Sequence, residues 1–240
     1  MHLRFLPAGD TALVVEFGDV IDRALSERVL RLGAALRAAG IPGLIEVVPT
    51  YRSLLVRYDP MLTDSATLCG GLESLLENTG AGAGPARLWR IPACYEAAHA
   101  PDLDEVAQRT GLAPAEVVRL HSGTLFHIYM IGFVPGYPYM GDLPATLALP
   151  RRADPRTRVP PGSIAIASTM TAIYPVESPG GWHLIGGTPI RLFDASAPRP
   201  ALLGPGDKVR FEPISAPRYD EIRRAVEAGT YHVPCESAPS

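Results

Sequence analysis

Proline and glycine divide the second half of the chain into short apolar runs, and the spacing of these runs limits the possible folds more than any other feature of the sequence. Six such runs lie at residues 126–133, 163–167, 173–176, 183–185, 190–193 and 208–211. The chain has 25 prolines, most of them after residue 130. Short strands between specified turns are typical of all-β domains and argue against a helical bundle. We therefore expect a compact β-barrel or sandwich.

The first half alternates strand pairs with amphipathic helices. Strands are predicted at residues 3–6, 12–17, 44–49 and 53–58, and helices at 22–39 and about 65–78. In the first helix, apolar residues from Leu25 to Leu36 recur at three- and four-residue steps, which gives the helix one apolar face. The order ββαββα, followed by a strand at 87–92, predicts an open antiparallel sheet with helices on one face.

A short uncharged segment, residues 79–85, contains three glycines and can act as a linker. We place the domain boundary there. The prediction is an α+β protein, with a small antiparallel domain at residues 1–84 and a β-barrel domain at 85–240 that begins with two short helices.

Charge and composition argue against several classes of function. The net charge of -3 and pI near 6.1 give no reason to expect binding to nucleic acid or to an anionic membrane surface. A signal peptide and an apolar run long enough to span a membrane are not found, so we expect a cytoplasmic protein. Cys69, Cys94 and Cys235 lie far apart, which predicts reduced thiols and no metal site.

The first candidate loop combines glycines with aromatic side chains. Its candidate binding residues are Tyr129, Gly132, Phe133, Gly136 and Tyr137. Glycine lets a ligand approach the backbone closely, and aromatic rings supply apolar contact. The alternative is a strand and a proline-stiffened turn whose tyrosines close the end of the barrel.

The second candidate loop holds four arginines in eight residues: Arg151, Arg152, Arg156 and Arg158. The planar guanidinium group suits carboxylates and phosphates, so this loop predicts an anionic substrate or partner surface. The alternative is a solvated loop, in which Asp154 neutralises one of the four charges.

The third candidate loop, residues 174–189, contains an acid, a hydroxyl group, a histidine and two aromatic rings. Such groups can polarise a carbonyl or orient a carboxylate, although they also occur in ordinary hairpins. Ser178 is not part of a G-x-S-x-G motif, and nothing in the sequence places His121, His127 or His183 beside it, which argues against a serine-hydrolase triad. A P-loop and a dinucleotide fingerprint are also absent from the sequence.

Several short motifs resemble the allophanate hydrolase subunit 1 or KipI-like family, which is grouped with the B subunits of 5-oxoprolinase and with carboxyltransferase subdomains C and D. The motifs are Gly9-Asp10-Thr11-Ala12-Leu13, Val48-Pro49-Thr50-Tyr51-Arg52-Ser53-Leu54, Gly132-Phe133 with Pro135-Gly136, Pro155-Arg156-Thr157-Arg158-Val159-Pro160 and Ser178-Pro179-Gly180-Gly181-Trp182. They occur in the family's order along nearly the whole chain.

The resemblance implies a small α+β domain joined to a cyclophilin-like β-barrel. It also implies ATP-dependent opening of the lactam 5-oxo-L-proline to L-glutamate, with ATP (with Mg) shared with a partner. The expected partners are a sister carboxyltransferase-type subunit and a third, lactam-opening component, and the chain is expected to be inactive alone. Two alternatives stay open: a KipI-like inhibitor of a sensor histidine kinase, and a carboxyltransferase component of a urea carboxylase or allophanate hydrolase system.

Residue roles are predicted by combining the loops with the resemblance. The candidate catalytic residues are Arg156, Arg158, His121 and Glu177, with Arg156 and Arg158 stabilising developing negative charge or holding the substrate carboxylate. The candidate substrate-binding residues are Tyr129, Gly132, Phe133, Gly136, Tyr137, Arg151, Arg152, Tyr174, Ser178, Gly180, Gly181 and Trp182. No metal ligand is predicted.

Overall fold

A computed structural model describes residues 3–78 and 86–238 of the chain. By internal contacts the chain divides into two units, Met1–Ala86 and Arg87–Ser240. The linker predicted at 79–85, and with it the boundary predicted between residues 84 and 85, lies outside the described residues. No described helix has the length and apolar character needed to cross a membrane.

The first unit has the predicted ββαββα order. Its elements are β1 (Arg4–Pro7), β2 (Ala12–Glu16), α1 (Arg23–Ala38), β3 (Leu44–Pro49), β4 (Ser53–Tyr58) and α2 (Ser65–Asn78). The strands form an antiparallel sheet in the order β1-β2-β4-β3. The side chain of Asp22 caps α1 by accepting a hydrogen bond from the backbone N–H of Leu25 at 3.1 Å. One sheet face and the apolar faces of both helices form a single core, as predicted.

The second unit is a closed barrel. Its elements are β5 (Arg87–Cys94), α3 (Leu103–Thr110), α4 (Pro114–Gly123), β6 (Phe126–Ile131), β7 (Pro138–Gly141), a 3-10 helix (Ala145–Leu147), β8 (Arg156–Val159), β9 (Ser163–Ala167), β10 (Met170–Ile173), β11 (Ser178–Gly180), β12 (His183–Gly187), β13 (Lys208–Ile214), α5 (Ala216–Glu227) and β14 (Cys235–Ser237). The order is β12-β9-β10-β7-β6-β13-β5, and pairing between β12 and β5 closes the ring.

Three sequence predictions in this unit are wrong. Of the run predicted at residues 173–176, only Ile173 lies in a strand, at the end of β10. Residues 190–193 form no strand, and only Phe193 makes an isolated bridge, with Ala201. The arginine-rich segment is not wholly irregular either, because its second half is β8, which pairs with β11 outside the barrel. Strands this short are specified by their partners, which local sequence does not identify.

His121, at the end of α4, lies inside the core of the barrel unit. Its ring is fully buried and stacks on Phe211 with a centroid distance of 4.6 Å. Thr171 Oγ1 donates to the carbonyl of Ala165, so it accepts from Nε2 of His121 at 2.9 Å. The hydroxyl of Tyr95 then donates to Nδ1 at 2.8 Å. Both ring nitrogens are therefore used by the protein, and this argues against the predicted catalytic role of His121.

Burial of His121 predicts acid sensitivity. Burial lowers its pKa from 6.5 to about 3, so the unfolded chain binds a proton that the folded chain does not between these values. Stability from this group is complete above pH 6.5 and is lost as the pH falls, by about 2 kcal/mol at pH 5. Urea unfolding at pH 7, 6 and 5 measures the slope. We expect His121→Asn to flatten it and His232→Asn, at an exposed position, to leave it unchanged; equal slopes in both variants would contradict this assignment.

Candidate functional site

Two of the three predicted loops meet at Tyr137. The Tyr137 ring is buried and makes edge contacts with Phe133 of its own loop, at a centroid distance of 5.4 Å, and with Tyr174 at 5.1 Å and Trp182 at 6.1 Å. Tyr139 contacts both Tyr137 and Trp182. We call Tyr137, Tyr139, Tyr174 and Trp182 the aromatic cluster.

The glycines of these loops permit close packing around the cluster. A Cβ atom on Gly180 would overlap the hydroxyl group of Tyr174, so a larger residue there would require the buried ring of Tyr174 to move. Gly136 has φ +79, a conformation that favours glycine, and a Cβ there would lie 2.9 Å from Cβ of Phe193. A Cβ on Gly132 would lie 2.8 Å from Cε of Met130. The glycine-rich motifs therefore serve packing as well as any approach of a ligand.

Phe133 stands out beside the cluster because it is both exposed and conformationally strained. Its side chain is 61% exposed, and its backbone has φ 68, which non-glycine residues rarely adopt. Such strain persists only where the surroundings hold the residue, and it is concentrated at functional sites. The observation supports the predicted binding role of Phe133.

The tyrosines of the cluster are neutral hydrogen-bonding groups. Burial raises the pKa of Tyr137 far above its usual value, and the pKa values of Tyr139 and Tyr174 also rise, with burial as the main cause. The cluster therefore consists of neutral groups with no anion of its own, and Tyr139 is its most accessible member because Tyr137, Tyr174 and Trp182 are buried.

We call the second candidate loop, with its four arginines, the arginine loop. A buried carboxylate, that of Asp102, holds this loop to the rest of the barrel unit. Arg156 donates two hydrogen bonds to it, from Nη1 at 2.9 Å and from Nη2 at 2.6 Å, and Arg152 donates a third at 3.2 Å. The backbone N–H of Leu184 donates a fourth, at 2.7 Å. Asp102 is only 3% exposed, so these donors supply the compensation that a buried charge requires. Arg152 also binds Glu105, at 3.0 Å.

Two of the predicted catalytic residues pair with each other at the surface. Arg158 donates two hydrogen bonds to Glu177, from Nε at 3.0 Å and from Nη2 at 2.8 Å, across the β8–β11 pair. Their side chains are 76% and 53% exposed. The pairing lowers the pKa of Glu177, which keeps it ionised and makes it a poor general acid.

Arg151 differs from the other three arginines. Among the described residues it is the one member of the four with no acidic partner. Its guanidinium carbon lies over the ring of Trp182, 5.9 Å from the centroid, a distance at which a cation is attracted by the π system. Burial raises the pKa values of Tyr137, Tyr139 and Tyr174, and the positive charge of Arg151 partly offsets this by lowering them. The second loop therefore contacts the aromatic cluster through Arg151.

The remaining predicted residues take structural positions. Tyr129 is buried, and its ring packs against Gly141 and contacts the ring of His127 at a centroid distance of 4.7 Å. It is not part of the apolar core cluster that includes its neighbour Ile128. The carbonyl of Gly181 accepts a hydrogen bond from the backbone N–H of Arg152 at 2.7 Å, which joins the second and third loops. Ser178 is buried, and its Oγ has no hydrogen-bond partner in the described part of the chain.

A small cavity of about 240 Å³ lies beside β8. Arg156 and Arg158 line it together with His99 and Tyr219, whose rings stack at a centroid distance of 4.0 Å. Sequence reasoning missed His99, Tyr219 and the role of Asp102. Asp102 precedes α3 and suggests a helix cap, yet its side chain caps nothing and binds the arginines instead. No local pattern distinguishes these two roles.

Comparison with known proteins places the chain in a family. The model of the carboxyltransferase domain, subdomain C and D, matches residues 3–203. The 5-oxoprolinase B subunit of Bacillus subtilis is 36% identical over 223 residues, covering 88% of this chain and 92% of that protein. The 5-oxoprolinase B subunit of Escherichia coli O157:H7 is 39% identical over 205 residues, covering 85% of this chain and 93% of that protein. The chain belongs to the family of 5-oxoprolinase B subunits.

Solved structures agree with this membership. The crystal structure of TTHA0988 superposes with a TM-score of 0.77 at 37% identity and covers 86% of this chain. The matched part is 41% of TTHA0988, so the present chain spans less than half of the length of that protein. The urea carboxylase of Kluyveromyces lactis superposes with a TM-score of 0.79 over 98% of this chain and 24% of its own, but at 19% identity it shows the fold alone.

The family match includes the whole candidate site. Asp102, the arginine loop and the aromatic cluster all lie within residues 3–203, whereas β13 and α5 follow it. The resemblance identified in the sequence is therefore confirmed, and the site lies in the part of the chain shared with the family.

Proposed function

We propose that this chain is the B-type subunit of a 5-oxoprolinase and contributes a substrate-binding surface for opening 5-oxo-L-proline to L-glutamate. The observation that carries the proposal is the match to 5-oxoprolinase B subunits along nearly their full length. The geometry supports it, because an unpaired guanidinium beside neutral aromatic groups suits a small cyclic amide that bears a carboxylate.

The chemistry of the substrate accounts for the need for ATP. A lactam carbonyl is a poor electrophile, and transfer of a phosphoryl group to its oxygen releases ADP and activates the ring carbon. Attack by one water breaks the ring C–N bond, whose nitrogen takes up a proton, and a second water releases phosphate and leaves glutamate. Donors that face the developing oxyanion lower the barrier to such steps.

Among the described residues of the arginine loop, few cationic donors are free to bind ATP. A triphosphate with Mg requires several cationic or backbone donors around it. In the arginine loop, Arg152, Arg156 and Arg158 are already paired with carboxylates, which leaves Arg151 alone. We propose that a sister carboxyltransferase-type subunit supplies the remaining ATP contacts, that a third component completes the ring opening, and that this chain is inactive by itself.

Reconstitution tests the proposal. The chain, its sister subunit and the third component are mixed with ATP, Mg²⁺ and 5-oxo-L-proline, and L-glutamate and ADP are measured together. We expect both products from the complete mixture and neither above background when this chain is omitted. The proposal is rejected if glutamate forms at the same rate without this chain, or if the complete mixture is inactive while an intact 5-oxoprolinase assayed in parallel is active.

A further inference from the structure

We propose that Arg151 is the residue that binds the carboxylate of the substrate, with the lactam ring held against the half-buried Tyr139 and the exposed Phe133 at the edge of the aromatic cluster. This inference rests on the proposed function and assigns to one arginine the role that the sequence shared between Arg156 and Arg158. It defines the ligand class as a small planar cyclic amide with an adjacent carboxylate.

The charge distribution of the loop selects Arg151. The charge of Arg156 is already compensated by Asp102 through hydrogen bonds of 2.6 and 2.9 Å, so its remaining N–H groups attract a further carboxylate less than an unpaired guanidinium does. Displacing Asp102 would leave a buried carboxylate without compensation. Arg152 is held by the same carboxylate and by Glu105. Arg158 already forms a bidentate pair with Glu177.

Arg151 has none of these competitors. Within residues 86–238 no acidic side chain pairs with it, so an incoming carboxylate displaces only water. The contact with Trp182 restrains the guanidinium and lowers the entropy lost on binding. A guanidinium that lies over a ring still has its N–H groups directed outward in its own plane, where a carboxylate can accept two parallel hydrogen bonds.

The groups next to Arg151 suit the uncharged part of the ligand. Tyr137 and Tyr174 stay protonated because burial raises the pKa of each, so their rings and hydroxyls add no negative charge that would repel a carboxylate. Phe133 is exposed beside Tyr137 and offers a further apolar surface for a five-membered ring. One cation and several neutral rings thus match one carboxylate and one lactam.

Two ligands and two variants test this role in the assembled complex. Binding of 5-oxo-L-proline and of 2-pyrrolidinone, the same lactam without the carboxylate, is measured by calorimetry without ATP. We expect Arg151→Ala to weaken binding of 5-oxo-L-proline about 10- to 100-fold, the range typical of a charge-assisted hydrogen-bonded pair, and to leave 2-pyrrolidinone unaffected. Arg151→Lys keeps the charge and should recover part of the loss. Arg119→Ala removes an exposed arginine of α4 and serves as the control.

The outcomes separate this inference from the proposed function. In the glutamate assay, Arg151→Ala should raise KM for 5-oxo-L-proline more than it lowers kcat. If the complex makes glutamate and Arg151→Ala has the wild-type KM and affinity, the assignment of Arg151 is wrong and the proposed function stands. An equal loss for both lactams would also overturn it, because the carboxylate would then not be the group that Arg151 binds. A wild-type complex that binds neither lactam rejects the assignment whether or not turnover occurs.

Discussion

Replacing Asp102 by alanine is expected to destabilise the barrel unit by about 3–5 kcal/mol, the usual cost of removing one partner of a buried ion pair. Arg156 and Arg152 would lose their shared carboxylate, and the backbone N–H of Leu184 would lose its acceptor. Asp102→Asn should be less severe, since its amide oxygen can still accept from Leu184 while the charge is gone. Chemical denaturation followed by tryptophan fluorescence measures the loss, because Trp89 and Trp182 both lie in this unit.

The matched control is Glu177→Ala. Glu177 also forms a bidentate pair with an arginine of the same loop, but this pair is exposed to solvent. Solvent screens exposed pairs, so this variant should leave the unfolding midpoint almost unchanged. If the two variants shifted the midpoint equally, Asp102 would not have the anchoring role that its burial indicates. Asp102→Ala should also weaken substrate binding, because it frees the loop that carries Arg151.

Replacing Gly162 by alanine is the second change with a large expected effect, roughly 2–5 kcal/mol of stability. Gly162 has φ +83, and a Cβ atom there would overlap the carbonyl oxygen of Thr188. The same residue donates a hydrogen bond to Tyr174 O at 2.7 Å and accepts one from Thr188 N at 2.8 Å. It therefore lies where β8–β9, the third loop and the end of β12 meet, and no side chain can rotate away to relieve the clash.

Gly111→Ala separates backbone strain from the clash. Gly111 ends α3 with φ +70, but a Cβ there meets no atom within 4 Å. It should lose only the conformational part, about 1–2 kcal/mol. Urea denaturation of the two variants measures both losses. Equal losses would show that the Thr188 contact contributes nothing, and a Gly162→Ala protein as stable as wild type would contradict the described turn.

Local sequence was sufficient to predict the helices and strands that are stabilised mainly by residues close to them in the sequence. The two helices and four strands of the first unit follow from apolar periodicity, turn residues and the Asp22 cap, and the strands β3 and β4 were predicted to the residue. The short runs between glycine and proline predicted a barrel or a sandwich, and the family resemblance favoured the barrel. In contrast, β8 and β11 are three or four residues long and depend on each other, so their pattern gave no signal.

The candidate site shows the same division. Residue types alone left the arginine loop open between an anion-binding surface and a solvated loop, and the motifs indicated the family. Which arginine is available to bind a ligand depends on partners that are distant in sequence. Asp102, the partner of Arg156, precedes it by 54 residues. Periodicity and spacing report interactions within a few residues, whereas charge compensation in a folded protein depends on groups that only the tertiary structure brings together. Sequence therefore determined the family and the chemistry of the loops, and the tertiary structure decided that Arg151, rather than Arg156 or Arg158, is the arginine left unpaired.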